Sequence, residues 1–179
     1  MRRGARIGID YGEARIGVAV CDSDARVVLP RTVVRRDRFG TDIDDILDIV
    51  EDIEAIEIVV GLPRHLSGRE GEVARAAESF ARKLDRACRD AGHRVRVCLV
   101  DERLTSSSAH AQLESMGIGN RQRRGRVDQL AAAMILEQAL EIERHSATPP
   151  GRTVNGSESR RAHGDDRCHN VRKKRNDHG

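Results

Sequence analysis

The sequence predicts a mixed α/β fold in which a β-hairpin seeds a sheet that later strands extend through helical crossovers. Three observations carry this. Two runs of small and β-branched residues, RIGIDY and RIGVAVC, flank a short polar turn near the N-terminus. Short apolar runs then alternate with segments of helical period. A last helical segment is so apolar across Leu130–Leu136 that it must be buried against a sheet.

The hairpin spans Arg6 to Cys21. Alternation puts Ile16, Val18 and Val20 on one face of its second run and Gly17, Ala19 and Cys21 on the other. In the first run Ile7 and Ile9 share a face, and Gly8 and Asp10 share the opposite one. One face is therefore bulky and the other nearly bare, which lets another element approach closely. Asp10 stands at the end of the bare face, where it also reads as a simple turn-opening acid. Val27–Val34 is a third strand in which Pro30 demands a bulge or an edge position. Thr41 and Asp42 offer caps to a helix with Ile43, Ile46, Leu47, Val50 and Ile53 on its apolar face. Ile56–Val60 is a buried strand stopped by Gly61-Leu62-Pro63. The loop Arg64–Gly71 leads into a long helix with an apolar stripe from Val73 to Cys88, ended by Gly92. Val95–Val100 is the fifth strand, Ser106–Met116 a short helix, Asn120–Arg126 a basic loop, and Val127–Glu143 the buried helix.

Beyond about His145 the only aliphatic residues larger than Ala are Val154 and Val171. Such a segment does not offset its own ordering entropy, so residues 1–146 are expected to form the domain and residues 147–179 a disordered basic tail. Charge follows this division. Residues up to Pro150 carry 24 basic and 25 acidic side chains, whereas Gly151 onward carries eight basic and four acidic ones. The tail's His163, Cys168 and His169 have no regular element to hold a structural zinc site, so an electrostatic tether to nucleic acid is the expected role. Cysteine spacing suggests no disulfide framework, and no apolar run is long enough to span a bilayer. A cytoplasmic protein without membrane association is expected. Tyr11, Phe39 and Phe80 are the whole aromatic set, which weighs against binding single strands mainly by stacking.

Three carboxylates stand where regular elements start or stop: Asp10 ends the first strand, Glu102 follows the last, and Asp128 opens the final helix. An acid in a first helical turn is favoured by the helix dipole whatever its function, and periodicity does not decide whether Asp101 or Glu102 faces Asp10. The final helix also carries Ala131-Ala132-Ala133, small enough to dock on the Gly8/Gly17/Ala19 face and bring Asp128 to Asp10. Converging carboxylates repel one another unless a cation joins them. Hard oxygen donors suit Mg²⁺ or Mn²⁺, and phosphoryl transfer is the usual chemistry of such centres. Arg121, Arg123, Arg124 and Arg126 lie just before Asp128, placed to draw in a polyanionic backbone or simply to be solvated.

Four blocks carry a resemblance: DYGEARIGVAV at Asp10–Val20, GLPRHLSGREG at Gly61–Gly71, DERLTS at Asp101–Ser106 and VDQLAAAMIL at Val127–Leu136. In this order they resemble the signature blocks of the YqgF/RuvX family, and the resemblance covers roughly Arg6 to Glu143. It implies an RNase H-like fold, a mixed five-stranded sheet with helices on both faces, and a nuclease acting on the precursor of 16S ribosomal RNA. It further implies that Asp10, Glu102 and Asp128 are the catalytic, metal-binding acids. Arg15, Arg103 and Thr105 fit the motifs as phosphate-positioning groups, though each also reads as an ion-pair or capping residue. Ala14 stands where members often carry a cation, and the tail extends past the usual family end.

The leading reading is thus a metal-dependent endonuclease acting on structured RNA, as a monomer or homodimer. The same acids suit a resolvase of branched DNA, the family's former assignment, and surface loops would choose between them. A third reading is a weakly catalytic nucleic-acid-binding or transcription factor. An ATP-binding fold of the actin type needs two large domains and is set aside.

Overall fold

The computed structural model describes residues 1–63, 68–101 and 120–154, with side chains described outside 68–70 and 120–125. Strands β1 (Arg6–Tyr11) and β2 (Arg15–Cys21) form the expected hairpin, closed by a backbone bond from Gly12 N–H to Arg15 C=O at 2.9 Å. β3 (Val28–Arg35) continues the meander at the sheet's edge. Its register against β2 slips where Val18 pairs Thr32 and Ala19 pairs Pro30, leaving Arg31 as the extra residue. The bulge and the edge position expected from Pro30 both occur, because proline donates nothing to a ladder.

Helix α1 (Thr41–Asp52) returns the chain to β4 (Glu57–Leu62), which pairs parallel with β1. Thr41 and Asp42 are not its caps, contrary to expectation. Gly40 holds the N-cap position without a side-chain bond, and Asp42, in the first turn, is buried with Oδ1 accepting from Ile43 N–H at 3.0 Å and Oδ2 from Arg36 Nε at 3.2 Å. Asp37 instead takes the Phe39 and Gly40 N–H groups at 2.6 and 2.8 Å and fixes the connection before the helix. Helix α2 (Gly68–Asp90) begins inside the segment expected as a loop and crosses to β5 (Arg96–Asp101), parallel to β4. The expected helix at residues 106–116 lies outside the described residues.

Helix α3 (Asn120–Ser146) covers the opposite face from α1 and α2, so helices do lie on both faces of the sheet. It is longer than the apolar pattern suggested, because NRQRRGR, expected as a basic loop, is its first two turns. Arg and Gln are good helix formers, and a single Gly lowers that preference without abolishing it. Ile7, Ile9, Ile16 and Val18 pack with Ile46, Phe80 and Leu84 on one side. Val59, Cys98 and Val100 pack with Ile135, Leu136 and Leu140 on the other.

The sheet has six strands rather than five, in the order β3-β2-β1-β4-β5-β6. The sixth, β6 (Arg152–Thr153), lies in the segment expected to be disordered and pairs antiparallel with β5. Val154 enters the core beneath α2, and its N–H reaches Val97 C=O at 3.3 Å. Gly151 makes the return possible: its φ is +65°, and a Cβ there would collide with Leu99 C=O. Residues 147–154 thus belong to the folded body, and only residues 155–179 of the expected tail lie outside the described residues. No helix among the described residues is long and apolar enough to cross a membrane.

A buried ionic cluster ties the starting ends of β1, β4 and β5 to the last turns of α3. Arg6 and Glu57 are fully buried, and Glu143 is 2% exposed. Glu143 accepts from Arg6 Nη2 at 3.2 Å and Arg2 Nη2 at 2.8 Å, while Glu57 accepts from Arg2 Nη2 at 2.8 Å and pairs with Arg96. Burial opposes ionisation of Glu143, but the bonds from Arg2 and the charge of Arg6 outweigh it and hold the carboxyl down at about 2. Breaking a buried pair leaves an uncompensated charge behind.

Three outcomes follow from this framework. Because the folded-state value of Glu143 lies below its ordinary one of 4.5, its contribution is complete above that value and lost as pH falls toward about 2. The melting temperature of the parent should therefore drop through that window, and Glu143→Gln should flatten the drop. Glu143→Ala should cost ~3–5 kcal/mol in denaturant melts at neutral pH. Ending the chain at Pro150 instead of Val154 should cost about 1–3 kcal/mol by the same melts, since it strips a core valine and bares the β5 edge.

Candidate active site

The bare hairpin face is where the site is built. Ile9 and Tyr11 enter the core under α2, so Gly8 and Asp10 face α3. A Cβ at Gly8 would lie 2.5 Å from Ala132 C=O and 2.7 Å from Leu136 Cβ, and one at Gly17 would overlap Asp128 C=O. Ala19, Ala132 and Ala133 fill the space between. Gly17 is the cross-strand partner of Asp10. The helix backbone at Asp128 therefore rests against the residue beside Asp10, and both acids stand at one rim on one face, as the small-residue match predicted.

Asp128 is not in a first helical turn. It lies eight residues into α3, where the dipole argument no longer accounts for it. Its side chain is 23% exposed, and Oδ2 accepts from Arg15 Nε at 3.0 Å. Arg15 opens β2 and is 41% exposed. This pair joins residues 113 positions apart in the chain, and nothing in local patterning announced it. Asp10 is half-buried.

Asp101 ends β5 at the same rim and is exposed, its C=O accepting from Gln138 Nε2 at 2.8 Å. Cys98 and Val100 face α3, whereas Val97 and Leu99 face α2. Alternation along β5 thus sets Asp101 on the face away from Asp10 and Asp128. Glu102, Arg103 and Thr105 lie outside the described residues, as do the side chains of Arg121, Arg123 and Arg124; Arg126 is exposed on α3.

Among the described residues no group of three His, Cys, Asp or Glu side chains is close enough to hold a metal ion. The two acids that are described nevertheless suit a hard divalent cation. They are carboxylates at an accessible rim, and the thiols under α3 are inside the core. Burial raises the Cys21 thiol and pushes that of Cys98 up to about 12, which keeps both protonated and unavailable as soft ligands.

A family model described as "RuvX: Holliday junction resolvase" matches residues 4–142. Curated relatives bear the name "Putative pre-16S rRNA nuclease". One from Nocardioides sp. is 48% identical over 157 residues, covering 86% of this chain and 98% of that protein. One from Clavibacter sepedonicus is 43% identical over 155 residues, covering 86% and 93%. One from Thermobifida fusca is 42% identical over 164 residues, covering 88% and 99%. Among solved structures, Thermus thermophilus RuvC in complex with a Holliday junction substrate superposes with a TM-score of 0.53 at 18% identity, covering 82% of this chain and 99% of that one. That likeness supports the fold, a RuvC-type, RNase H-like sheet flanked by helices. A match across the hairpin, the crossovers and the Asp128 helix alike, together with relatives similar over nearly their full length, means that the chain belongs to the RuvX family.

Proposed function

We propose that this protein is a nuclease that hydrolyses phosphodiester bonds in the precursor of 16S ribosomal RNA, with Asp10, Glu102 and Asp128 as its catalytic acids. One observation carries the reading: α3 seats Asp128 against Gly17, the strand partner of Asp10, so two distant carboxylates share a rim. The DERLT motif and the outward turn of Asp101 favour Glu102 as the third. The relatives' shared name supports RNA as substrate and, with it, a cytoplasmic setting.

These acids would hold Mg²⁺ or Mn²⁺, which when bound supplies charge stabilisation to the phosphoryl centre. The rest belongs to the chain itself. Gly8 and Gly17 let α3 lie close enough for the acids to stand together. Arg15 holds the Asp128 carboxylate in place and offsets its charge, and its exposed guanidinium is also within the approach of a phosphate. Arg126, with Arg121, Arg123 and Arg124 on the same helix, Arg103 and Thr105 complete the proposed phosphate-binding set. Resolution of branched DNA is the second reading, favoured by the description attached to the matching family model.

The test is incubation of the full chain with precursor 16S ribosomal RNA, single-stranded DNA and four-way junctions, in Mg²⁺, Mn²⁺ or EDTA. Metal-dependent cutting of the RNA is expected, and cutting of junctions alone would reverse the ranking. Asp10→Asn should abolish cleavage with an unchanged circular dichroism spectrum. Cleavage at the parent rate would remove Asp10 from the site.

A further inference from the structure

All three aromatic residues of the chain meet in one cleft. It has a volume of about 480 Å³ and lies between the β3–α1 connection and α2. Tyr11 and Phe80 form its inner wall with ring centroids 5.1 Å apart, and Arg36 lies over both rings at 4.6 and 5.9 Å. Phe39 stands at the mouth, 79% exposed, with the Arg38 guanidinium 5.0 Å from its ring centre. Lys83 and Ser79 of α2 line the other side, both exposed.

Two cations at the mouth are not neutralised. Arg36 is committed to Asp42 and to the Tyr11 hydroxyl. Asp37 directs its carboxylate at the Phe39 and Gly40 N–H groups and the Thr41 hydroxyl, which pins the connection presenting Phe39. Arg38 and Lys83 have no carboxylate partner among the described residues. An exposed aromatic face flanked by free cations matches a base and its phosphates.

The cleft lies across the sheet from the candidate active site, next to the end of the same hairpin. Tyr11 directly follows Asp10 at the rim and faces the other side of the sheet. Arg15, which holds Asp128, pairs across the sheet with exposed Arg35, and Arg36 N–H bonds to Ala14 C=O at 3.1 Å. Arg15, Arg35 and Arg38 thus mark a cationic path around the hairpin end, from the acids on the α3 face to the cleft on the α2 face.

We propose that this cleft binds a nucleotide in the single-stranded flank of a polynucleotide substrate, with the base against Phe39 and the phosphates on Arg38 and Lys83. Its role as a flank site rests on the nuclease reading, but the binding itself does not.

The test is fluorescence anisotropy of labelled decaadenylate RNA with the full chain in EDTA, which suspends metal-dependent cleavage. Phe39→Leu keeps an apolar side chain at an exposed position but removes the aromatic face, and should raise Kd about tenfold. An abasic oligomer of equal length should bind parent and Phe39→Leu alike. Arg38→Gln with Lys83→Gln should flatten the slope of log affinity against log salt by about 1.4, the value for two phosphates of a single strand. A change in Kd below about twofold in Phe39→Leu, where stacking predicts far more, would overturn the proposal. So would an equal loss for the abasic oligomer, or an unchanged salt slope in the double variant. Adenosine monophosphate matching the oligomer's affinity would show a free-nucleotide site and overturn the strand assignment. Failure of the parent to cut any substrate in Mg²⁺ would sink the nuclease reading while leaving these binding differences readable.

Discussion

At Gly17 a helix carbonyl lies where any other residue would carry its Cβ, and the arrangement of the molecule depends on that approach. Overpacking a well-fitted interior commonly costs 1–3 kcal/mol, and more when the obstructing atom is backbone that cannot rotate away. A larger side chain at Gly8 or Gly17 would lift α3 from the sheet and separate Asp128 from Asp10. Small residues here are therefore a geometric condition on the approach of the two acids as well as on packing. Ala132 and Ala133 supply the helix half of the same condition.

The far end of α3 is held by a different force. Glu143 lies among Arg2, Arg6 and Glu57 at the starting ends of the strands, where directional charged bonds replace close apolar fit. A helix fixed by shape at one end and by ion pairing at the other has little freedom to slide or roll. The ionic end is the costly one to bury: Arg6 Nε, 3.7 Å from Glu57, makes no hydrogen bond. Buried ionic groups of this kind are weak evidence for stability but can specify one arrangement over its neighbours. Here they hold the last turns of α3 against the starting ends of the strands.

Much of this was legible in the chain. Alternation in RIGIDY and RIGVAVC separated a bulky face from a bare one, the Ala run supplied its mate, and Pro30 announced the bulge and the edge. Other features left no local trace. A two-residue strand such as β6 has no period to detect, and the apolar poverty of the whole tail hid the one valine that reaches the core. The first turns of α3 read as a loop because their charges mark solvent exposure, which a helix tolerates equally well. Arg6 looked like the polar flank of a strand, and the Arg15–Asp128 pair joins residues that only the tertiary fold brings together. Scarcity of aromatics argued against stacking when counted, whereas their convergence in one cleft is a property of the fold. For Glu102 the guides are the motif and the alternation that turns Asp101 to the other face.

The margins of the sheet bear on how the protein behaves in a crowd. An open strand edge is a template on which another chain can add itself, and exposed apolar side chains make it more adhesive. The β3 margin carries such a side chain at Leu29, with Val27 just before it, yet Pro30 withholds a donor in its midst and the extra residue at Arg31 bends the ladder out of line. The opposite margin ends in two residues too few to template a partner. Growth of the sheet from molecule to molecule is thus discouraged at both of its described edges.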